Sequence, residues 1–215
     1  MFDARLRRRL APTLDRVAGA LERRGARAGT VTAVGWLVGL GAIGAALGRL
    51  WPLALLAWWA NRALDGLDGA LARRRGASEL GGYLDLVADF SIYAGLALAV
   101  AVVEPAARLA TVALLVAYYL SGTALLGGSA ILERHGVAHD ERSVNLLGGL
   151  AEGAETILAY TVVLAWPTGA TTVAWTFAAL VAVTAVQRVA RVARALRPPA
   201  VEGRPVRRRS GTQPG

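Results

Sequence analysis

Residues 65–103 read DGLDGALARRRGASELGGYLDLVADFSIYAGLALAVAVV, and they join four aspartates to an apolar run long enough to cross a bilayer. Asp65 and Asp68 are three residues apart, and Asp85 and Asp89 are four apart. On an α-helix each pair falls on one face. Two such helices packed antiparallel can therefore aim all four carboxylates at one point.

This cluster of carboxylates predicts a metal site. Four carboxylates embedded in a membrane protein repel one another and are costly to remove from water. Divalent cations remove both difficulties, and a hard, oxygen-rich site suits Mg²⁺ or Mn²⁺. A pair of such metals is the arrangement used for displacement at phosphorus.

The composition is that of a membrane protein. Of the 215 residues, 55% are hydrophobic, and the mean hydropathy is +0.45. The net charge of +9 comes from 24 arginines against 15 acidic residues, and no lysine is present. Together with the apolar runs, this charge indicates cationic membrane edges and no nucleic-acid partner. The absence of cysteine excludes a disulfide scaffold, thiol catalysis and a cysteine-based zinc site.

The pattern predicts an all-α integral membrane protein in three parts. Residues 1–27 place apolar side chains at three- or four-residue steps among arginines, which is typical of an amphipathic helix lying in the interface. Residues 28–196 form one domain of six transmembrane helices, and residues 197–215 form a basic disordered tail. The predicted spans are 29–49, 51–72, 80–103, 106–128, 146–165 and 170–193.

The arginines predict the orientation in the membrane. With six spans, both termini and the second and fourth connections lie on one side, which holds nearly all of the arginines. The opposite side holds only Arg49 and Arg108. The positive-inside rule then places both termini in the cytoplasm and the aspartates near the cytoplasmic face of the cell membrane.

The aspartates belong to a longer pattern that resembles the signature of the CDP-alcohol phosphatidyltransferases. Its positions, with a seven-residue spacer after Arg73, are Asp65, Asp68, Gly69, Ala72, Arg73, Gly81, Asp85 and Asp89. The six-span layout and the N-terminal helix extend the resemblance to most of the chain. Upstream, the Pro-Asn-x-x-Thr-like motif of many members is replaced by Gly29, Thr30, Val31 and Thr32.

The resemblance implies a role for each aspartate. Asp65, Asp68 and Asp85 ligate two divalent ions, Mg²⁺ or Mn²⁺, and Asp89 shares one of them. Asp89 is also the general base that deprotonates the acceptor hydroxyl, since an alcohol is a poor nucleophile without such help. The implied reaction transfers a phosphatidyl group from CDP-diacylglycerol to an alcohol and releases CMP, in a protein that is a homodimer.

The same resemblance assigns the substrate-binding positions Gly69, Ala72, Arg73 and Gly81. Gly69 leaves space for the nucleotide to approach the helix. Arg73 contacts the pyrophosphate, where a guanidinium offsets charge on the leaving CMP. Arg74 and Arg75 are better explained as cationic membrane anchors.

The acceptor is the least determined part of the prediction. A possible acceptor pocket consists of Arg142, Glu152, Glu155, Arg188 and Arg191. Arginines converging near the metals favour a phosphorylated polyol, such as glycerol 3-phosphate or an inositol phosphate. The glutamates favour serine, and inositol also fits the core.

Two non-enzymatic classes compete with this interpretation. A cation or proton transporter also places acidic side chains in its spans. A non-catalytic membrane protein of the same family would retain the fold without the reaction. The complete signature, with Gly69, Ala72, Arg73 and Gly81 all at matching offsets, favours the enzyme.

Overall fold

The computed structural model describes residues 2–135, 151 and 153–197, with side chains from residue 11 onward. All regular structure in these residues is helical, and two short 3₁₀ turns, Pro105–Ala107 and Pro167–Gly169, precede α5 and α7. The α-helices of this part are α1 (Phe2–Arg23), α2 (Ala28–Leu47), α3 (Trp51–Arg75), α4 (Glu79–Val103), α5 (Arg108–Arg134), α6 (Gly153–Ala165) and α7 (Ala170–Ala195).

Short connections set the order of the central helices. Pro52 lies in the first turn of α3, where a missing backbone N–H costs nothing, and Arg49 takes a left-handed φ of 58° in the turn before the helix. Ser78 caps α4 by accepting a hydrogen bond from the Gly81 backbone N–H at 3.0 Å. These short turns join α3 to α2 on one side and to α4 on the other, and α2 packs against both of these helices.

Four helical segments of the described residues are long and apolar enough to cross a membrane: Ala28–Leu47, Glu79–Val103, Pro105–Arg134 and Pro167–Ala195. They correspond to four of the six predicted spans. The second predicted span lies in α3, which carries six charged residues, and the fifth overlaps α6, which is 13 residues long. The count of six spans and the interfacial position of α1 stay predictions.

The helices form a bundle around small residues. α2 packs against α3 and α4, α5 packs against α7, and α6 contacts α3. The core around Trp58, Ile92 and Leu96 includes several buried alanines. At Gly39 of α2 a side chain would meet Ile92 of α4 at 2.6 Å, so glycine permits this close approach. The bundle thereby holds α2, α3 and α4 together at the end that carries the aspartates.

Candidate active site

The four signature aspartates line one cleft between α2, α3 and α4. Asp65 and Asp68 come from the C-terminal half of α3, and Asp85 and Asp89 come from the N-terminal half of α4. The cleft is open on one side. Its lining residues are Thr32, Gly35, Trp36, Asn61, Asp65, Asp68, Asp85, Ala88 and Asp89.

Three of the aspartates form a cluster that can bind a metal ion. Asp65, Asp68 and Asp85 each present a carboxylate oxygen, and these three oxygens lie within 4.8 Å of one another. Asp68 is only 5% exposed, and its Oδ2 atom is buried without a hydrogen-bond partner. A buried carboxylate oxygen without a partner is unfavourable, and a cation would satisfy it. The donor set therefore fits a hard divalent ion.

The fourth aspartate has different partners. The Oδ1 atom of Asp89 accepts a hydrogen bond from Nη2 of Arg62 at 2.7 Å, and its Oδ2 atom accepts one from the hydroxyl of Tyr93 at 3.2 Å. Asp89 thus lies in the same cleft as the other three aspartates and is paired with a cation of the protein itself. Its predicted share in a metal ion and its role as a base stay predictions.

Arg62 belongs to this site although it is not among the residues predicted from the sequence. Its side chain is 4% exposed, and it also lies 3.6 Å from Oδ2 of Asp65. Asn61 and Arg62 interrupt the otherwise apolar stretch 51–64, and Arg62 precedes Asp65 by three residues. An arginine in an apolar stretch, one helical turn before the predicted ligand Asp65, was therefore the feature of the sequence that could have indicated Arg62 as a site residue.

The glycines of the signature have different surroundings. A side chain at Gly69 would meet only the guanidinium of Arg73, at 3.6 Å, so this face of α3 is open. A side chain at Gly81 would approach Oγ of Ser78 to 2.9 Å and disturb the cap of α4. The cap of α4 therefore gives a structural explanation for glycine at position 81, in addition to its predicted role in substrate binding. Ala72 is partly buried and Arg73 is exposed.

The predicted acceptor residues are placed only in part. Arg188 of α7 donates to the backbone oxygen of Ser121 at 3.1 Å and to its Oγ atom at 2.7 Å, which links α7 to α5. Glu155 and Arg191 are partly buried on α6 and α7. Arg142 and Glu152 lie outside the described residues. The acceptor pocket stays a prediction.

Arg74 and Arg75 contact the N-terminal helix. Nε of Arg74 lies 2.7 Å from Oε2 of Glu22, and Nη2 of Arg75 donates to the Glu22 backbone oxygen at 2.9 Å. Beneath these contacts, Ala18 of α1 packs into the same buried cluster as Leu71 of α3. The two arginines therefore fasten α1 to the helix that carries Asp65 and Asp68.

Acidification should loosen this fastening. The hydrogen bond from Arg74 lowers the pKa of Glu22 below its ordinary value, with a Coulombic contribution from both arginines. A depressed pKa means that the contact stabilises α1 above the unfolded-state pKa and that this stabilisation is lost as the pH falls through the folded-state pKa. Amide hydrogen exchange in α1, corrected for intrinsic rates, should therefore rise on acidification, by less than about tenfold for so exposed a pair.

The variant Glu22→Gln is the matched control for this prediction. Its α1 should exchange faster than that of the parent protein at neutral pH, and this difference should shrink in acid. An equal response of both proteins to acid would show that Glu22 does not fasten α1.

Comparison with known proteins decides the family. Residues 27–196 match the family model for CDP-alcohol phosphatidyltransferases, and this range includes all four aspartates. The chain belongs to the CDP-alcohol phosphatidyltransferase family. The resemblance predicted from the aspartate signature is thereby confirmed. A CDP-alcohol phosphatidyltransferase is a membrane transferase of phospholipid synthesis, which agrees with the apolar helices.

One curated relative is similar in sequence. The inner membrane protein YnjF of Escherichia coli (strain K12) is 39% identical over 168 residues, which cover 74% of this chain and 80% of YnjF. This likeness agrees with a multi-pass protein of the inner membrane.

Crystal structures of phosphatidylinositol phosphate synthase PgsA1 from Mycobacterium tuberculosis share the fold of this CDP-alcohol phosphatidyltransferase. The form with CDP-DAG bound matches with a TM-score of 0.64 at 24% identity, over 83% of this chain and 92% of that chain. The complex with manganese and citrate matches with a TM-score of 0.65 at 23% identity, over 83% and 88% of the two chains.

Proposed function

We propose that this protein transfers a phosphatidyl group from CDP-diacylglycerol to an alcohol and releases CMP. The observation that carries the proposal is the cluster of Asp65, Asp68 and Asp85, with the carboxylate of Asp89 beside it in the same cleft. The family supports the reaction class. PgsA1, which shares the fold, has been crystallised with CDP-DAG and with manganese, and this supports the donor and the ion.

Asp65, Asp68 and Asp85 would hold two divalent ions, Mg²⁺ or Mn²⁺, and Asp89 would share one of them. The support is the hard oxygen donors of the first three, their mutual approach within 4.8 Å and the partnerless Oδ2 atom of Asp68. When bound, the ions offset charge on the pyrophosphate and on the departing CMP.

In the proposed step, Asp89 takes the proton of the acceptor hydroxyl at a carboxylate oxygen. The acceptor oxygen forms a bond to the phosphorus that carries diacylglycerol, and the bond from this phosphorus to the CMP oxygen breaks. CMP leaves with the electron pair of that bond. The open face at Gly69 gives the nucleotide room, and Arg73 on the same face binds the pyrophosphate.

Arg73→Ala is expected to reduce kcat/KM for CDP-diacylglycerol by about 10- to 100-fold, the range for loss of a hydrogen bond to a charged group. Arg74→Ala and Arg75→Ala are matched controls, because those side chains contact Glu22 on α1. They should reduce kcat/KM much less. Equal losses in the three variants would make Arg73 a further cationic anchor.

For the acceptor we propose a phosphorylated polyol, with serine and inositol as alternatives. Arg188 and Arg191 on α7, together with Arg142, are the cations that would bind its phosphate. The test measures CMP release with glycerol 3-phosphate, inositol phosphate, inositol and serine, each supplied alone. If only the unphosphorylated acceptors react, and Arg188→Ala leaves their KM unchanged, this choice of acceptor is wrong.

The same assay tests the reaction class. An enzyme releases CMP from CDP-diacylglycerol with Mg²⁺ or Mn²⁺ and an alcohol. A transporter, the competing class, moves cations or protons across vesicles and releases no CMP.

As part of the proposal, the protein crosses the membrane six times with both termini in the cytoplasm, α1 lies in the interface, and the protein is a homodimer.

A further inference from the structure

The side chain of Arg62 carries a positive charge and is buried inside the helix bundle. A buried charge destabilises a protein unless it is paired and hydrogen-bonded, and removal of one partner from such a pair is strongly destabilising. The guanidinium of Arg62 is enclosed by the rings of Trp58 and Tyr93, with its central carbon 4.9 Å and 5.1 Å from the ring centres. The groups that receive its hydrogen bonds therefore indicate what it does.

Asn61 fixes the position of the Arg62 guanidinium by hydrogen bonds. The Oδ1 atom of Asn61 accepts hydrogen bonds from Nε and Nη2 of Arg62 at 2.9 Å and 2.6 Å. The Nδ2 atom of Asn61 donates to the backbone oxygen of Gly35 at 2.8 Å, which ties the pair to α2. Arg62 is thus held by two helices, with its remaining donors directed at a third.

Arg62 holds one carboxylate oxygen of Asp89 directly and the other through the hydroxyl of Tyr93. Nη2 of Arg62 donates to Oδ1 of Asp89 at 2.7 Å, and Nη1 donates to the hydroxyl of Tyr93 at 2.8 Å. That hydroxyl in turn donates to Oδ2 of Asp89 at 3.2 Å. The three side chains form a closed ring of hydrogen bonds between α3 and α4.

We propose that Arg62 is a positioning residue that, with Tyr93, holds the carboxylate of Asp89 in the orientation in which it takes the acceptor proton. It keeps Asp89 beside the cluster of Asp65, Asp68 and Asp85. The inference rests on the proposed function, in which Asp89 is the base.

The experiment is a double-mutant cycle with Arg62→Met and Asp89→Asn, and the readout is CMP release with the fastest acceptor among glycerol 3-phosphate, inositol phosphate, inositol and serine. Arg62→Met should lower kcat by about 10- to 100-fold, as misplacement of a reacting group does, and should change KM for CDP-diacylglycerol by less than about threefold. In the Asp89→Asn background, Arg62→Met should cause no further loss, because the two residues act through one group.

Binding of Mn²⁺, followed by electron paramagnetic resonance, separates positioning from a merely structural role. Arg62→Met should bind Mn²⁺ at least as tightly as the parent protein, because a cation 3.6 Å from Asp65 has been removed. A variant that has lost the fold of the cleft would lose Mn²⁺ binding as well. Arg49→Met is the matched control, since Arg49 lies at the other end of α2 and is 60% exposed.

Two milder variants keep the test decisive if Arg62→Met does not fold. Arg62→Lys retains the cation without the planar fork and should recover part of kcat. Tyr93→Phe removes only the hydroxyl that joins Arg62 to Oδ2 of Asp89 and should lower kcat with KM little changed.

Distinct outcomes overturn the inference and the proposed function. Parental kcat in Arg62→Met or in Tyr93→Phe, with turnover strongly reduced in Asp89→Asn, would overturn the positioning role and leave Asp89 as the base. Additive losses in the double mutant would also overturn it. Parental turnover in Asp89→Asn, or no CMP release with any acceptor, would instead overturn the proposed function.

Discussion

Replacement of Asp68 by asparagine is expected to lower CMP release by at least about 10³-fold, because the charge stabilisation supplied by a bound metal is worth several kcal/mol. Asparagine keeps the size of the side chain and removes its charge at the most buried position of the cluster, where the aspartate is 5% exposed. Binding of Mn²⁺, measured by electron paramagnetic resonance, should weaken in parallel. Chelation of divalent ions from the parent protein should abolish turnover as well.

The control for this prediction is the same replacement of aspartate by asparagine at a position outside the cleft. Asp15 is an exposed aspartate on α1, so Asp15→Asn should leave both Mn²⁺ binding and turnover close to those of the parent protein. Tight Mn²⁺ binding in Asp68→Asn would rule out Asp68 as a ligand, whatever the turnover.

Asp89→Asn is expected to separate proton transfer from metal binding. Turnover should fall by at least about 10²-fold, the lower range for removal of a general base. The affinity for Mn²⁺ should fall much less than in Asp68→Asn, because the oxygens of Asp65, Asp68 and Asp85 converge without Asp89. Binding of CDP-diacylglycerol should largely survive. Turnover near that of the parent protein would eliminate the assignment of Asp89 as the base.

The parts of the site that could be predicted are the parts set by local spacing. The intervals within 65–68 and 85–89 determine which side chains share a helical face, whatever the helices later contact. The short connection at 76–78 joins α3 to α4, α2 packs against both, and Asp65, Asp68 and Asp85 form one cluster. The helical class follows in the same way, from long apolar runs that end at Pro, Gly or charged residues.

The parts that could not be predicted depend on contacts between residues far apart in the chain. The hydrogen bond from Arg62 to Asp89 joins residues 27 positions apart, and the one from Arg74 to Glu22 spans 52. No local period specifies such pairs, because they follow from how the helices pack. For this reason Arg74 and Arg75 were predicted only as membrane anchors, although both of them contact α1.

The charges of α3 also bear on how the protein is made. In a six-span protein α3 has to enter the bilayer, yet Arg62, Asp65 and Asp68 lie within it, and such residues oppose the insertion of an isolated segment. α2 is apolar, is joined to α3 by a tight turn and packs along it. The two helices are therefore suited to insert as a hairpin, with hydrogen bonds such as that from Asn61 to Gly35 formed during insertion. In a six-span protein, the polar residues of the cleft would thus make the biogenesis of α3 dependent on its neighbours.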